Sequence, residues 1–470
     1  MKPLDRRSFL KNTGSVAAAA AAAPLVKTAW ANSSPNETVR VAVIGLNGRG
    51  RAHYSEWSKI PNVEVAYLCD VDERIFPMHL KAMEKFAPNK KPKTEVDIRK
   101  VLEAKDVDAI SVATPDHWHA LATIWACQAG KDVYVEKPTC HNIYEGRRMV
   151  EAARKYNRIV QSGMQNRSNR NVQAAMKFLH EGGIGDVYMA KGLCFKPRES
   201  IGKKHNEPIP QGLHYDLWLG PAQYRPYNAN YVHYNWHWFW DFGCTDLGNQ
   251  GPHQMDIARW GLNKREFPVK VHCAGGMFVW DSDQETPNTQ MATMEFSDGK
   301  ILQFEVRGMY TNAEAGVVNG SMANLPKEAV AALGDKIHGI TIGNLFYGSK
   351  GWMYLDGSTW RTYFGRKNEP GQSMESKEGA ADPMNLTGTG DSGHFVNFIE
   401  CVRSRKMSDL NADVEEGFRS TAYCHLANIA YRVKRQIQFD GNNECFVNDP
   451  QADGYLGRRY RAPYVVPEKV

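Results

Sequence analysis

Val39-Arg-Val-Ala-Val-Ile44 runs straight into Gly45-Leu46-Asn47-Gly48-Arg49-Gly50, and these twelve residues decide the fold. Apart from Arg40, the first six are β-branched or small and nearly continuous in hydrophobicity, the pattern of a parallel strand covered on both faces. The next six approximate G-x-G-x-x-G, with Asn47 in the second glycine position, and a helical stretch follows from Arg51. Glycines in such a loop allow a tight turn and bring backbone N–H groups to a pyrophosphate at a helix N-terminus. A second strand, Val63 to Cys69, ends in Asp70, twenty residues after Gly50. An acidic residue there accepts the ribose hydroxyls of adenosine and repels a 2′-phosphate, which favours NAD over NADP.

Working outward, two more strand ends carry polar motifs. Asp108 to Ala113 stops at Thr114-Pro115-Asp116-His117-Trp118-His119, and Asp132 to Val135 stops at Glu136-Lys137-Pro138. Ligands of open parallel sheets sit off such carboxyl ends. A helix over about 143–156 and a strand over 159–162 complete a nucleotide-binding domain spanning 38–163.

From 164 to 470 the pattern changes. Strand-like segments at 187–195, 269–279, 289–296, 300–306 and 352–354 lack the intervening helices that a parallel sheet needs, so an antiparallel sheet is expected. Helices are expected over about 394–403 and 414–434, with a loop over 365–390. Ten of the 27 residues from His214 to Trp240 are Phe, Trp or Tyr. Aromatic faces suit the C–H faces of sugar rings, and Tyr231, His233, Tyr234 and Trp236 are substrate candidates, with Asp246 beyond them. The alternative is that the aromatics pack a core. From Pro252 onward a helix is expected, with the proline tolerated in its first turn and His253 beside it.

Composition excludes several classes. At 470 residues, 42% hydrophobic and 23% charged, the chain is neither disordered nor fibrous. Residues 1–31 hold Lys2, Arg6, Arg7, Lys11 and Lys27 against Asp5; without them the 58 basic and 52 acidic residues become 53 and 51, a net charge of +2. So balanced a body gives no basis for nucleic-acid binding. Arg6-Arg7-Ser8-Phe9-Leu10-Lys11, an apolar run and Ala29-Trp30-Ala31 resemble a twin-arginine export signal, implying a periplasmic or otherwise exported protein. The nine cysteines form no C-x-x-C pair, and no histidine set has the H-E-x-x-H spacing, so no metal is expected.

The ordered set Gly45-x-Asn-Gly-Arg-Gly50, Asp70, Ala113-Thr114-Pro115, Glu136-Lys137-Pro138 and His253-Gln-Met-Asp256 resembles the glucose–fructose oxidoreductase / inositol dehydrogenase / MocA family. That resemblance implies an α/β protein, with a Rossmann domain joined to an α+β domain built on a large, open, mostly antiparallel sheet. It implies NAD held by Gly45, Asn47, Gly48, Arg49, Gly50, Asp70, Thr114, Pro115, His119, Glu136 and Lys137. It also implies that Lys137 and His253 flank the reacting carbon of a sugar, cyclitol or glycoside, in a homodimer or homotetramer. Many relatives carry aspartate where Asn249 stands. An amide positions a hydroxyl but is no base, so proton transfer falls to His253 or Lys137. A glycoside-cleaving enzyme using transient oxidation, and a sugar-binding protein without catalysis, are the alternatives. Export further suggests a nucleotide carried in bound and recycled in place.

Overall fold

The computed structural model describes residues 38–309, 341–357, 359–375 and 390–470; the expected export segment lies outside them. The first half is built from β1 (Val39–Ile44), α1 (Arg49–Trp57), β2 (Val63–Cys69), α2 (Phe76–Phe86), β3 (Lys93–Glu95), α3 (Ile98–Glu103), β4 (Ala109–Val112), α4 (His119–Gln128), β5 (Asp132–Val135), α5 (Ile143–Lys155) and β6 (Val160–Ser162). The six strands pair in parallel in the order β3-β2-β1-β4-β5-β6. The order reverses between β1 and β4, so the loops after these strands diverge and open a crevice at their carboxyl ends. Five of the six β1 side chains are buried, as the apolar run requires.

The second half follows with α6 (Arg170–His180), β7 (Val187–Phe195), α7 (Tyr215–Leu219), α8 (Thr245–Gly261), β8 (Lys270–Gly276), β9 (Thr289–Glu295), β10 (Ile301–Arg307), β11 (Ile342–Gly348), β12 (Gly351–Leu355), β13 (Thr359–Phe364) and β14 (Glu369–Glu375). It ends with α9 (Gly390–Ser404), α10 (Val414–Val433), β15 (Ile437–Asp440), β16 (Cys445–Phe446) and α11 (Pro450–Asp453). Its ten strands form one sheet, β14-β13-β12-β11-β7-β10-β9-β8-β15-β16. Only the β7–β10 pair is parallel, so the mostly antiparallel expectation holds.

Late helices close gaps in both halves. From α9, Phe395 stacks on Tyr134 with ring centres 4.6 Å apart and meets Trp57 edge-on at 4.4 Å. In α10, Phe418 fills the space a side chain at Gly146 would need; a Cβ there would lie 2.1 Å from its ring. Helix α8 lies between α10 and the large sheet, with fifteen of its seventeen residues buried.

Two sequence expectations need correction. The 365–390 segment is not a loop throughout, because residues 369–375 form the edge strand β14. All seven of its residues are exposed, and Pro370 and Gly371 are tolerated where one side of a strand is unpaired. No period of two marks such a strand. Second, α8 begins at Thr245, which puts Pro252 and His253 in its middle. Interior proline costs a helix about 3 kcal/mol, but burial on nearly every side outweighs that local preference here.

Candidate active site

A cleft of about 850 Å³ opens at the carboxyl ends of β1, β2 and β4 and runs to α8. At its floor the glycine loop is tightly folded. A Cβ on Gly50 would stand 1.9 Å from the Gly45 carbonyl oxygen, and one on Gly45 would stand 2.7 Å from the Ala113 oxygen. Gly48, at φ +64°, faces open space instead, with nothing within 4 Å of where its Cβ would be. The glycines therefore serve close packing at two positions and an open backbone at the third.

Asp70, at the end of β2, anchors this loop. Its Oδ2 accepts the Leu46 N–H at 2.8 Å and its Oδ1 accepts the Asp72 N–H at 3.0 Å. Burial raises its carboxyl, and the Leu46 and Asp72 amides pull the other way. Each oxygen keeps a lone pair, which fits the two hydroxyls of a ribose.

Beyond β5, Glu136 is saturated. Its Oε1 accepts from Arg49 Nε at 2.8 Å and Gln165 Nε2 at 3.0 Å, and pairs with His53 Nε2 at 3.0 Å. Its Oε2 accepts the Lys137 N–H at 3.1 Å. Burial alone would raise this carboxyl, but the Arg49 guanidinium and His53 outweigh it and hold it well below the carboxylate range. Lys137 points across to α8, where its Nζ donates to the Asn249 carbonyl at 2.6 Å and to Asn249 Oδ1 at 3.1 Å. Burial lowers the Lys137 ammonium, opposed by Glu136 and Asp116.

Asn249 and His253 are four residues apart on α8 and share one face, so both line the cleft. His253 Nδ1 is buried without a hydrogen-bond partner, and burial, with the Lys137 charge added, pushes its ring down to about 3. Thr114 Oγ1 is another buried, unpartnered polar atom of a cleft residue. Such atoms are costly when left alone and match a site shaped for a polar ligand. His119 braces the floor: its Nδ1 lies 2.7 Å from the Pro138 oxygen and its Nε2 3.0 Å from the Thr114 oxygen.

The aromatic segment divides between packing and lining. Tyr231 lies in a core with Trp218, Phe239 and Phe242, away from the cleft wall, so the substrate role expected for it gives way to packing. Asp246 stands behind the lining rather than in it; it is buried in an ion pair with Arg198, 2.5 Å from Nη2, its Oδ1 is 3.5 Å from Asn249 Nδ2, and the Arg198 guanidinium lies over Trp238. His233, Tyr234 and Trp236 do line the cleft. His233 Nε2 is 2.8 Å from Asp72 Oδ2, and the exposed Tyr234 ring lies 4.8 Å from that of His237.

This segment also straps the two halves together. The His214 N–H donates to the Val71 oxygen at 2.8 Å, the Glu73 N–H to the Gly212 oxygen at 2.9 Å, and Trp118 Nε1 to the Leu217 oxygen at 3.0 Å. Further polar lining residues were given no role by the sequence, among them Asp116, Gln165, Lys196 and His237. Asp116 was in view inside the Thr114–His119 motif and His237 inside the aromatic segment; Gln165 and Lys196 are brought in by chain crossings without a local signal. Among the described residues, no group of three His, Cys, Asp or Glu is placed to hold a metal ion, and no helix is long and apolar enough to cross a membrane.

Comparison with known proteins bears on the family and the fold. The profile described as "Oxidoreductase family, NAD-binding Rossmann fold" (Gfo/Idh/MocA) matches residues 39–164, and that of the family's C-terminal alpha/beta domain matches 187–338 and 354–466. Among curated proteins, an alpha-N-acetylgalactosaminidase of Shewanella oneidensis is 28% identical over 175 residues, 33% of this chain; the chain spans 38% of that relative's length. Among solved structures, the WlbA dehydrogenase of Bordetella pertussis, in complex with NADH and UDP-GlcNAcA, superposes with a TM-score of 0.58 at 18% identity, over 86% of this chain and 99% of that one. An aldose-aldose oxidoreductase of Caulobacter crescentus, complexed with glycerol, gives 0.60 at 16%, over 86% and 100%.

Proposed function

Because the chain belongs to the Gfo/Idh/MocA oxidoreductase family through both its NAD-binding Rossmann domain and its C-terminal domain, we propose that it oxidises a hydroxyl of a sugar, cyclitol or glycoside with tightly held NAD. The observation that carries this reading is the meeting of Lys137, Asn249 and His253 at the far end of the cleft that begins at Gly45. Bound there, NAD would take up the hydride. The glycine loop and Asp70 would hold its adenosine half, with Glu136 fixing Arg49 beside the loop. Lys137, positioned by both oxygens of Asn249, would stabilise the alkoxide that develops on the substrate. His253, kept neutral by burial, would meet a substrate hydroxyl through its free Nδ1. Tyr234 and Trp236 would offer ring faces to the sugar.

A second reading is transient oxidation followed by glycoside cleavage. The curated relative named as an alpha-N-acetylgalactosaminidase favours it. Oxidation at C3 would acidify the C2 proton and permit elimination of the aglycone. The same machinery at Lys137 and His253 serves both readings.

We also propose export through the twin-arginine route, a nucleotide that stays bound, and a homodimer or homotetramer. The Arg6-Arg7 sequence supports the first and the strap over 212–233 supports the second. Replacing both arginines with lysine is expected to strand the protein in the cytoplasm, and sedimentation as a monomer would reject the assembly. The decisive test mixes purified protein with free pyranoses, inositols and 4-nitrophenyl glycosides, N-acetyl-α-galactosaminide included. Appearance of reduced nicotinamide absorbance supports oxidation. Release of nitrophenol without net cofactor change supports cleavage. Absence of both, with sugar still bound, leaves a binding protein.

A further inference from the structure

Oxidation of a hydroxyl releases a proton, and the groups around Lys137 offer few places for it. Glu136 is saturated by four donors or partners. Asn249 is an amide, and burial disfavours the protonated His253 ring. Asp116 differs. It stands just after β4, is 3% exposed, and lines the same cleft. Cys244, just before α8, lies close enough to its carboxyl to oppose the effect of burial. Its Oδ2 is buried with no hydrogen-bond partner. Lys137 is the cation that acts on it most strongly, and Cys140 and Cys244 are titratable groups close to it. A buried carboxyl oxygen without a donor is unfavourable unless a proton or ligand completes it.

We propose that Asp116 is a further catalytic residue of this cleft, whose Oδ2 receives the proton of the reacting hydroxyl. This rests on the oxidoreductase reading above. The step balances: the substrate C–H bond yields a hydride with both electrons to the nicotinamide, and the O–H bond yields its proton to the Asp116 carboxylate. The substrate keeps a C=O and Asp116 becomes a neutral carboxylic acid. Burial pushes this carboxyl up to about 7 against the pull of Lys137, so it exchanges a proton near neutrality, as an efficient base does.

The test uses holoenzyme and D116N. Infrared spectra of the wild type are expected to show a protonated-carboxyl band titrating near neutral pH, absent from D116N. With the best substrate of the panel, D116N is expected to lose about 100- to 10,000-fold in rate. It should also lose the limb of the pH profile that rises through neutrality, while its NAD content stays at the wild-type level. Formate is expected to restore part of the activity of D116A. Should D116N fail to fold, D116E carries the test by shifting the limb rather than abolishing it. A wild-type limb retained in D116N or unmoved in D116E, an infrared titration unchanged in D116N, or D116A indifferent to formate would each overturn the inference alone. A wild type that neither reduces its nucleotide nor releases aglycone overturns the functional reading along with it.

Discussion

Replacing Lys137 with methionine keeps most of the side chain, short of its last atom, and removes its charge. In the structure that charge is held by contacts of 2.6 and 3.1 Å to Asn249 and faces the cleft between Glu136 and His253. A unit charge about 4 Å from a developing alkoxide, at an effective dielectric of about 20, is worth about 4 kcal/mol. At about 1.4 kcal/mol per decade, that is about three powers of ten in rate. The adenosine half of the nucleotide depends on other residues, Asp70 and the glycine loop, so NAD should remain bound. Stopped-flow reduction of bound nicotinamide measures the rate, and mass spectrometry after denaturation measures the nucleotide. A rate within about threefold of wild type, or loss of nucleotide in place of loss of rate, would refute the placement of Lys137 at the reacting carbon.

Other consequences can be checked independently. Asp70→Ser removes the carboxylate that would repel a 2′-phosphate, and should raise NADP relative to NAD binding about tenfold or more, read by calorimetry. Gly50→Ala drives a Cβ to 1.9 Å from the Gly45 oxygen, so it should lower Tm by several degrees and abolish nucleotide retention. Stability should fall as pH drops from about 6.5 toward 4. Burial pushes His117 and His253 down to about 3 and His394 and His425 to about 4, so only the unfolded chain binds their protons in that window. Asp116, raised to about 7, works in the opposite sense and offsets one proton. These four histidines less that one contribute about three protons, about 4 kcal/mol per pH unit, and His237, pushed down to about 3, with His53, His79, His119 and His141, also lowered by burial, steepens the slope in the same sense. Urea denaturation across this range measures the slope; stability unchanged or rising toward pH 5 would contradict it.

The nucleotide half was legible in the chain because its signals are local. A buried parallel strand is a short apolar run, and β1, β2, β4 and β5 each end in a polar motif that marks the crevice. Lys137, His253 and Asn249 were legible through the motifs around them. The short strand β3, with Lys93 and Thr94 exposed, carries no such pattern. Tyr231 and Asp246 show the limit from the other side. Residue type offered each as a sugar ligand, but only the fold reveals that Tyr231 packs on Trp218 and that Asp246 is held by Arg198. Asp116 was read as part of a motif, yet its importance rests on Cys244, 128 residues away, which no spacing rule connects to it. The helix start at Thr245 was hidden because Pro252 looks like a first-turn residue and tertiary burial overrides it.

In crystals grown with NAD, the adenosine ribose is expected on Asp70, the pyrophosphate over Gly48, and C4 of the nicotinamide between Lys137 Nζ and His253 Nδ1. A nucleotide bound elsewhere, or a crevice that stays closed to saturating NAD, would contradict this placement.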